Sequence, residues 1–292
     1  MHITLFGTNF SRKYSKYIQH LIIKLNEKGC KISIYEKFYN FLIKEVKISK
    51  NISIIEKIET NHNIDMLLSI GGDGTLLRAV TEVKDMQIPI LGINTGKLGF
   101  ISSISTDEVD IAIEKIIKKE YDINNRSLLE LETDKKLFGE INFALNEIAI
   151  VKKDTSSMIK IHTFLDNEFL NSYWADGLLI STPTGSTGYS LSCGGPIMLP
   201  GTGNFIIAPI APHNLNVRPI IINENSVIDL QVEDRDERAL LSLDSRSRGF
   251  NSNLKIRVKR SKFDVKLVQL KNTSFISTIR TKLMWGSDKR NI

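Results

Sequence analysis

Residues 65–83 read DMLLSIGGDGTLLRAVTEV, and this stretch decides the fold. The short, mostly apolar run 65–70 is the length of a buried strand, and 75–83 continues as a helix. Between them Gly71-Gly72-Asp73-Gly74-Thr75 makes a turn. A strand that passes through glycines straight into a helix is half of a βαβ unit.

The same rhythm runs outward in both directions. Residues 2–6 (HITLF) form a strand ending at Gly7, and Tyr14, Tyr17, Ile18, Leu21, Ile22 and Leu25 follow at helical spacing until Gly29 stops the helix. Further strands are expected at 31–35 and 88–93, and a helix at 107–118 that opens on acidic residues suited to its dipole. Residues 1–125 therefore read as an α/β domain with an open, mostly parallel sheet.

Beyond residue 125 the period falls to two. Ile159, Ile161, Thr163 and Leu165 alternate with polar or bulky neighbours, as do Ile228, Leu230 and Val232, and Leu254, Ile256 and Val258. A mostly β domain over 126–270, built as a sandwich of two antiparallel sheets, fits this pattern. Helical spacing returns at 275–285, so residues 271–292 are expected to form a C-terminal helix that packs back on the N-terminal domain.

The 292 residues suit two domains of ordinary size. With 41% apolar and 25% charged residues, and Gly and Pro numbering only 18 and 7, the chain is neither disordered nor low in complexity. The formal charge is +6. Eleven of the 39 basic side chains but only two of the 33 acidic ones lie in 251–292, which leaves 28 basic against 31 acidic in the first 250 residues. The excess continues to Arg290 and sits on alternating positions such as Lys255, Arg257 and Lys259, the pattern of a solvated strand face. No nucleic-acid partner is expected.

Cys30 and Cys193 are the only cysteines, and no secretory pattern opens the chain, so a cytoplasmic location is expected. No apolar run reaches the ~18–20 residues of a membrane span. The five histidines are scattered without zinc spacing.

Several segments carry chemistry. Gly71–Thr75 offers backbone N–H groups at a helix start, where an anion binds closely, with a plain tight turn as the alternative. Asp73 is out of place in a simple phosphate cradle, because a carboxylate repels phosphate. It becomes useful by taking a proton from a hydroxyl or by holding a divalent cation. Gly92-Ile93-Asn94-Thr95-Gly96-Lys97-Leu98 fails the Walker pattern in both spacing and final residue, and Gly72-Asp73-Gly74 fails the dinucleotide fingerprint. Gly92, Gly96 and Gly99 still place a turn at the end of a parallel strand, where ligand crevices lie.

Asn146-Glu147 sets two polar residues within the apolar run 143–151. An amide beside a carboxylate suits an adenosine or ribose, while a bulge or strand end with solvated side chains is the alternative. Residues 176–196 concentrate small and hydroxyl residues, from Asp176-Gly177 through Thr182-Pro183-Thr184-Gly185-Ser186 to Gly194-Gly195-Pro196, and suit a loop wrapped on a nucleotide. Tyr189 within it is either a stacking ring or a core residue.

In this order, Gly71–Thr75, Gly92–Phe100, Asn146-Glu147, Asp176-Gly177 and Thr182–Pro196 closely resemble the NAD kinase family over roughly 65–246. The resemblance implies a phosphotransferase that moves the γ-phosphate of ATP, or of another donor such as polyphosphate, to the 2′-hydroxyl of the adenosine ribose of NAD. NADP is the product, and a divalent cation, Mg2+ by expectation, is required. Carried over by position, Asp73 is the general base, Gly74 keeps the approach open, and Arg78 stands near phosphate or in solvent. The resemblance further gives Asn146 and Glu147 the grip on the dinucleotide, and Asp176 another substrate contact. Thr187, Gly188, Tyr189, Ser190, Leu191 and Ser192 become the nucleotide-wrapping stretch, and Ala211 and Arg246 weaker contacts. Gly188 stands where many relatives have Ala. Arg246 stands where many have Gln, with phosphate as an alternative partner. A homo-oligomer, dimer or tetramer, is expected, and no membrane partner.

Two other readings remain. Lipid kinases share the Gly-Gly-Asp-Gly-Thr turn but neither the Thr182–Thr187 form nor Asn146-Glu147, and a basic amphipathic helix is missing. A non-catalytic NAD sensor gains little from Asp73 beside phosphates.

Overall fold

The computed structural model describes residues 1–49, 51–96, 99–102, 104–153, 157–233, 239–251 and 254–286. The chain forms two compact units, Met1–Asn125 with Val265–Ile292, and Arg126–Asp264.

The first unit opens with β1 (His2–Gly7), α1 (Ser15–Glu27), β2 (Lys31–Tyr35), α2 (Glu36–Leu42) and β3 (Ser53–Ile55). It continues with β4 (Met66–Ile70), α3 (Asp73–Val83), β5 (Ile90–Asn94), β6 (Ile104–Ser105), α4 (Val109–Ile117) and β7 (Tyr121–Arg126). α1 forms because Ile18, Leu21, Ile22 and Leu25 share one buried stripe, and it ends at Gly29, whose φ of +70° continues no helix. The strands β1, β2, β4 and β5 are buried along almost every residue, because helices cover the sheet, so they read as apolar runs rather than alternations. The pairings β1 with β2 and β4, β2 with β3, and β4 with β5 are all parallel. The strand order reverses between β1 and β4, the kind of place where open α/β sheets bind ligands. There Thr8 and Thr75 join by their hydroxyls at 3.0 Å.

The second unit comprises β8 (Leu129–Thr133), β9 (Phe143–Ala144), β10 (Glu147–Lys152), β11 (Ile159–Leu165), β12 (Glu168–Ala175) and β13 (Gly177–Ser181). A one-turn helix α5 (Tyr189–Ser192) precedes β14 (Asn204–Ile210), β15 (Ile220–Asn223), β16 (Ile228–Glu233), β17 (Ala239–Leu243), β18 (Arg246–Phe250) and β19 (Ile256–Arg260). Two antiparallel sheets result, ordered β15-β14-β13-β10-β17-β18 and β12-β11-β16-β19-β8-β9. Their inner faces share one core containing Ile148, Leu178, Phe205 and Leu241 from one sheet and Leu131, Ile161, Leu230 and Val258 from the other. Each such side chain contributes roughly 1.5–3 kcal/mol by leaving water. The outer face of β13 and β14 is covered as well, since Leu179, Ile206 and Ala208 pack with Met198. Burial on both faces explains why these strands read as unbroken apolar runs.

The chain then returns to the first unit with β20 (Val265–Leu270), which pairs in parallel with β5, and α6 (Phe275–Leu283). Its Ser274 caps the helix by accepting from the Ser277 N–H, Ile279 is buried, and the Lys282 ammonium lies 5.7 Å over the Phe100 ring. The second unit thus ends at Asp264, where the sequence reading places the boundary at residue 270. Helix α3 begins at Asp73, two residues before the expected start, because an acidic first residue suits the helix dipole.

Basic residues of β19 meet acidic neighbours across the strands. Arg257 pairs with Asp229 at 2.7 Å, Lys259 with Glu132, and Arg260 with both Glu224 and Asp264. Much of the basic excess in this strand is therefore matched locally. Arg290 lies outside the described residues. Among the described residues no helix is long and apolar enough to cross a membrane.

Candidate active site

In the first unit the site is built on the junction of β4 and α3. Gly71 adopts φ of +152°, and a Cβ there would fall 2.2 Å from Thr75 Oγ1, so only glycine fits. Its N–H donates to the Ile93 carbonyl, which ties the turn to β5. Asp73 is the first residue of α3 and is half-buried. Its Oδ2 accepts the Phe100 N–H and its Oδ1 the Ser102 N–H, both at 2.9 Å. The carboxylate is thus fastened to the turn beyond β5, where Asn94 Oδ1 accepts the Gly96 N–H at 2.7 Å. Among the described residues, and apart from the immediate chain neighbours, no side chain stands within 4 Å of the positions that a Cβ on Gly72 or Gly74 would take. Arg78 is exposed on the next turn of α3. Lys97 and Leu98, part of the glycine turn read from the sequence, lie outside the described residues.

In the second unit the site forms around the bend that leads into β10. Asn146 lies in that bend, and Glu147 is the first residue of the strand. The strand-end reading is therefore correct for the backbone, but the side chains are not simply solvated. Asn146 Oδ1 and Glu147 Oε2 are both shielded from solvent with no hydrogen-bond partner among the described residues, and the same holds for Ser190 Oγ in α5. Buried acceptors left open in this way are costly, so they mark a place where a hydroxyl or amide donor belongs.

The hydroxyl-rich loop packs against this bend. The Thr182 N–H donates to Asn146 O at 2.9 Å and the Thr182 hydroxyl to Leu145 O at 2.6 Å. Ser186 Oγ accepts from the Met198 N–H at 2.9 Å, which folds the loop back on itself. Thr187 donates to Thr184 O. A Cβ on Gly188 would meet the Gly185 carbonyl oxygen at 3.2 Å and Glu147 Oε2 at 3.4 Å, so Ala at this position requires the Gly185 carbonyl to give by a few tenths of an ångström. Tyr189 is exposed rather than in the core; Leu191 is half-buried and Ser192 exposed. Asp176 is paired with Lys152 at 2.6 Å. Ala211 is exposed and holds φ of +44°, a strained conformation for a residue with a Cβ.

The charges here are tuned by burial. Desolvation pushes the Glu147 carboxyl up to about 7, the nearby Asp244 adds to the rise, and the Tyr189 N–H opposes it. Burial also raises the Tyr189 hydroxyl, helped by Cys193, Asp176 and Glu147. The Asp244 carboxyl is raised by burial and held down by the N–H groups of Asn146, Leu145 and Glu147 and by Arg246.

Arg246 makes contacts within the chain. Its guanidinium donates to the carbonyls of Ile141, at 2.7 Å, and Phe143. Sequence reading also passed over Asp244, which organises the bend; an acidic residue in a tight hairpin was its only signal.

Family models give the decisive comparison: the ATP-NAD kinase N-terminal domain matches residues 19–121 and the ATP-NAD kinase C-terminal domain residues 145–270. The chain belongs to the NAD kinase family. The NAD kinase of Cytophaga hutchinsonii is 47% identical, with all of both chains covered. That of Flavobacterium psychrophilum is 44% identical, again over all of both. The NAD kinase from Archaeoglobus fulgidus, solved in complex with ATP, superposes with a TM-score of 0.72 at 25% identity, covering 97% of this chain and 99% of that one. Yeast NADH kinase complexed with NADH gives 0.86 at 23% identity, covering 99% and 89%, and shares the fold. The NAD kinase assignment leaves the lipid-kinase and sensor readings without support.

Proposed function

We propose that Asp73 carries the chemistry of the NAD kinase reaction and that the Asn146-Glu147 bend carries the recognition of NAD. The reaction moves the γ-phosphoryl group of ATP to the 2′-hydroxyl of the adenosine ribose of NAD. Asp73 accepts the hydroxyl proton as the ribose oxygen bonds to phosphorus, the bond from phosphorus to the bridging oxygen breaks, and NADP and ADP leave. The observation that carries this reading is the Asp73 carboxylate, fixed by two backbone N–H groups and flanked by Gly72 and Gly74, which set no side chain of their own beside it. Positioning of this kind is what phosphoryl transfer demands of a protein.

Recognition rests on acceptors without partners. Asn146 Oδ1, Glu147 Oε2 and Ser190 Oγ suit the hydroxyl and amino donors of an adenosine, and the Tyr189 ring offers a face for stacking. Asp176, Thr187, Gly188, Leu191, Ser192 and Ala211 complete the proposed binding surface of the second unit, and Gly74 and Arg78 that of the first. Arg246 acts through the backbone it fastens.

Mg2+ fits this arrangement as a cation that arrives on the donor's phosphates. Among the described residues no three His, Cys, Asp or Glu side chains come together. Mg2+ ordinarily keeps its waters and binds through one or two carboxylates and substrate phosphates, and Asp73 is the carboxylate on hand. A bound cation supplies neutralisation of the phosphoryl charge. The free thiols Cys30 and Cys193 suit a reducing compartment, and we place the reaction in the cytoplasm. Large apolar side chains in solvent, Phe169, Trp174, Leu215 and Ile221, support a homo-oligomer, dimer or tetramer.

Purified protein given ATP, Mg2+ and NAD should form NADP, read by an NADP-specific dehydrogenase, and chelation should stop it. Absence of NADP across ATP, polyphosphate and several divalent cations would overturn the assignment.

A further inference from the structure

Asp244 sits in the turn between β17 and β18 and makes contacts far from its place in the sequence. Its Oδ1 accepts the Asn146 N–H at 2.8 Å and the Glu147 N–H at 3.2 Å, and its Oδ2 accepts the Leu145 N–H at 3.1 Å. The Asp244 N–H donates in turn to the Glu147 carbonyl at 3.0 Å. Three successive amide hydrogens converge on one side chain, and all three contacts require it to accept, the role of an ionised carboxylate. The turn is shaped for this purpose, since Asp244 takes φ of +51°, a region that Asp and Asn tolerate better than other side chains.

Arg246, two residues on, fixes the strand that precedes the bend through the Ile141 and Phe143 carbonyls. One short hairpin therefore holds 141–147 from both sides. Residues 145 and 146 lie outside both β9 and β10; Thr182 engages their carbonyls, and it is Asp244 that takes up their N–H groups. Asn146 Oδ1 and Glu147 Oε2 remain open while the backbone beneath them is fully engaged.

We infer that Asp244 is a positioning residue for NAD recognition: its carboxylate fixes the 145–147 backbone so that the Asn146 and Glu147 side chains reach the dinucleotide. This rests on the reading of Asn146 and Glu147 as the grip on NAD. Asp244 itself touches no substrate. Its loss should therefore fall on NAD binding and spare the donor and the chemical step.

Asp244→Asn is the test, since Asn keeps the shape, tolerates the turn, and loses the charge and one acceptor. Hydrogen bonds to a charged group of this kind correspond to a rise in the KM for NAD of roughly 10- to 100-fold. The KM for ATP and kcat should stay within about threefold, a split that a general loss of folding does not produce. The pH profile supplies a second readout. Glu147 is faced by Asp244 from the β17–β18 turn and by Tyr189 and Cys193 from the α5 segment, with Asp176 and Lys152 beyond Tyr189. Removing the Asp244 charge should move the pH dependence of NAD binding to lower pH.

A folded Asp244→Asn protein with an unchanged KM for NAD, or with kcat and both KM values altered alike, overturns the inference. Should the variant fail to fold, amide hydrogen exchange in the unaltered protein decides. Leu145, Asn146 and Glu147 should be protected like strand amides, and free exchange at all three would overturn it. Failure of the NAD kinase reading looks different, because then the unaltered protein makes no NADP.

Discussion

Gly99 and Asp73 are so close that a Cβ on Gly99 would lie 1.8 Å from Asp73 Oδ1 and 2.4 Å from its carboxyl carbon. The glycine is the space into which the carboxylate fits. Gly99→Ala must push Asp73 off its Phe100 and Ser102 donors, and a displacement of about 1 Å at a reacting group costs on the order of 10²-fold in rate. Steady-state kinetics should show that loss in kcat, with NAD binding by calorimetry little changed.

Gly74 makes the opposite case. Outside its own helix and chain neighbours, no atom of the described residues lies within 4 Å of its would-be Cβ, and it sits in the first turn of α3. Gly74→Ala should raise stability by about 0.5–1 kcal/mol, the usual gain of Ala over Gly in a helix, while the added methyl obstructs the donor. A higher Tm together with a higher KM for ATP is the expected pair of results; a raised Tm with an unchanged KM would mean that nothing approaches this turn closely.

Glu147 gives a pH dependence with a definite sign. Its carboxyl is raised by burial from 4.5 to about 7, so in the folded chain it holds its proton more tightly than in the unfolded one. It contributes stability below about pH 4.5 that is lost as pH rises toward 7, a loss on the order of 2–3 kcal/mol without ligand. Glu147→Gln should remove that loss, seen as a Tm that varies less between those pH values. A ribose hydroxyl donates best to the ionised form, so the KM for NAD should fall roughly tenfold between about pH 6 and pH 8. The glutamine variant should show a flat profile.

Ala211 stores backbone strain at φ of +44°. Ala211→Gly should leave the fold intact and gain about 1 kcal/mol, whereas Ala211→Val, branched at Cβ, should lose at least as much. Thermal unfolding of the two variants measures the difference directly.

Much of the fold could be read from periodicity, and the reason is local. Ile18, Leu21, Ile22 and Leu25 declare a helix by their own spacing, and Gly71 and Gly72 mark the turn wherever the rest of the chain lies. The return of β20 was not readable in this way. Val265 and Leu267 alternate as they would in either sheet, and only the pairing of Leu267 with Ile90 decides between them. Short elements such as α2, at seven residues, give too few turns for a period.

The site divides along the same line. Asn146 and Glu147 stand out because polar residues interrupt an apolar run, and Asp73 because a carboxylate is out of place in a glycine-rich phosphate cradle. What holds them does not stand out: Asp244 reaches Asn146 across 98 positions, and Phe100 and Ser102 act through backbone N–H groups that carry no side-chain signature. Arg246 could be placed near the site by resemblance, yet its use on two carbonyls depends on where Ile141 and Phe143 lie.

Asp73→Asn tests the central claim most directly. The substitution keeps size and polarity but removes the base, while the proposed NAD contacts of the second unit are untouched. NADP formation with ATP, Mg2+ and NAD should fall at least ~10²-fold in kcat, with the Kd for NAD by calorimetry within about twofold of the unaltered protein. Turnover close to normal would contradict the account and remove Asp73 from the chemistry.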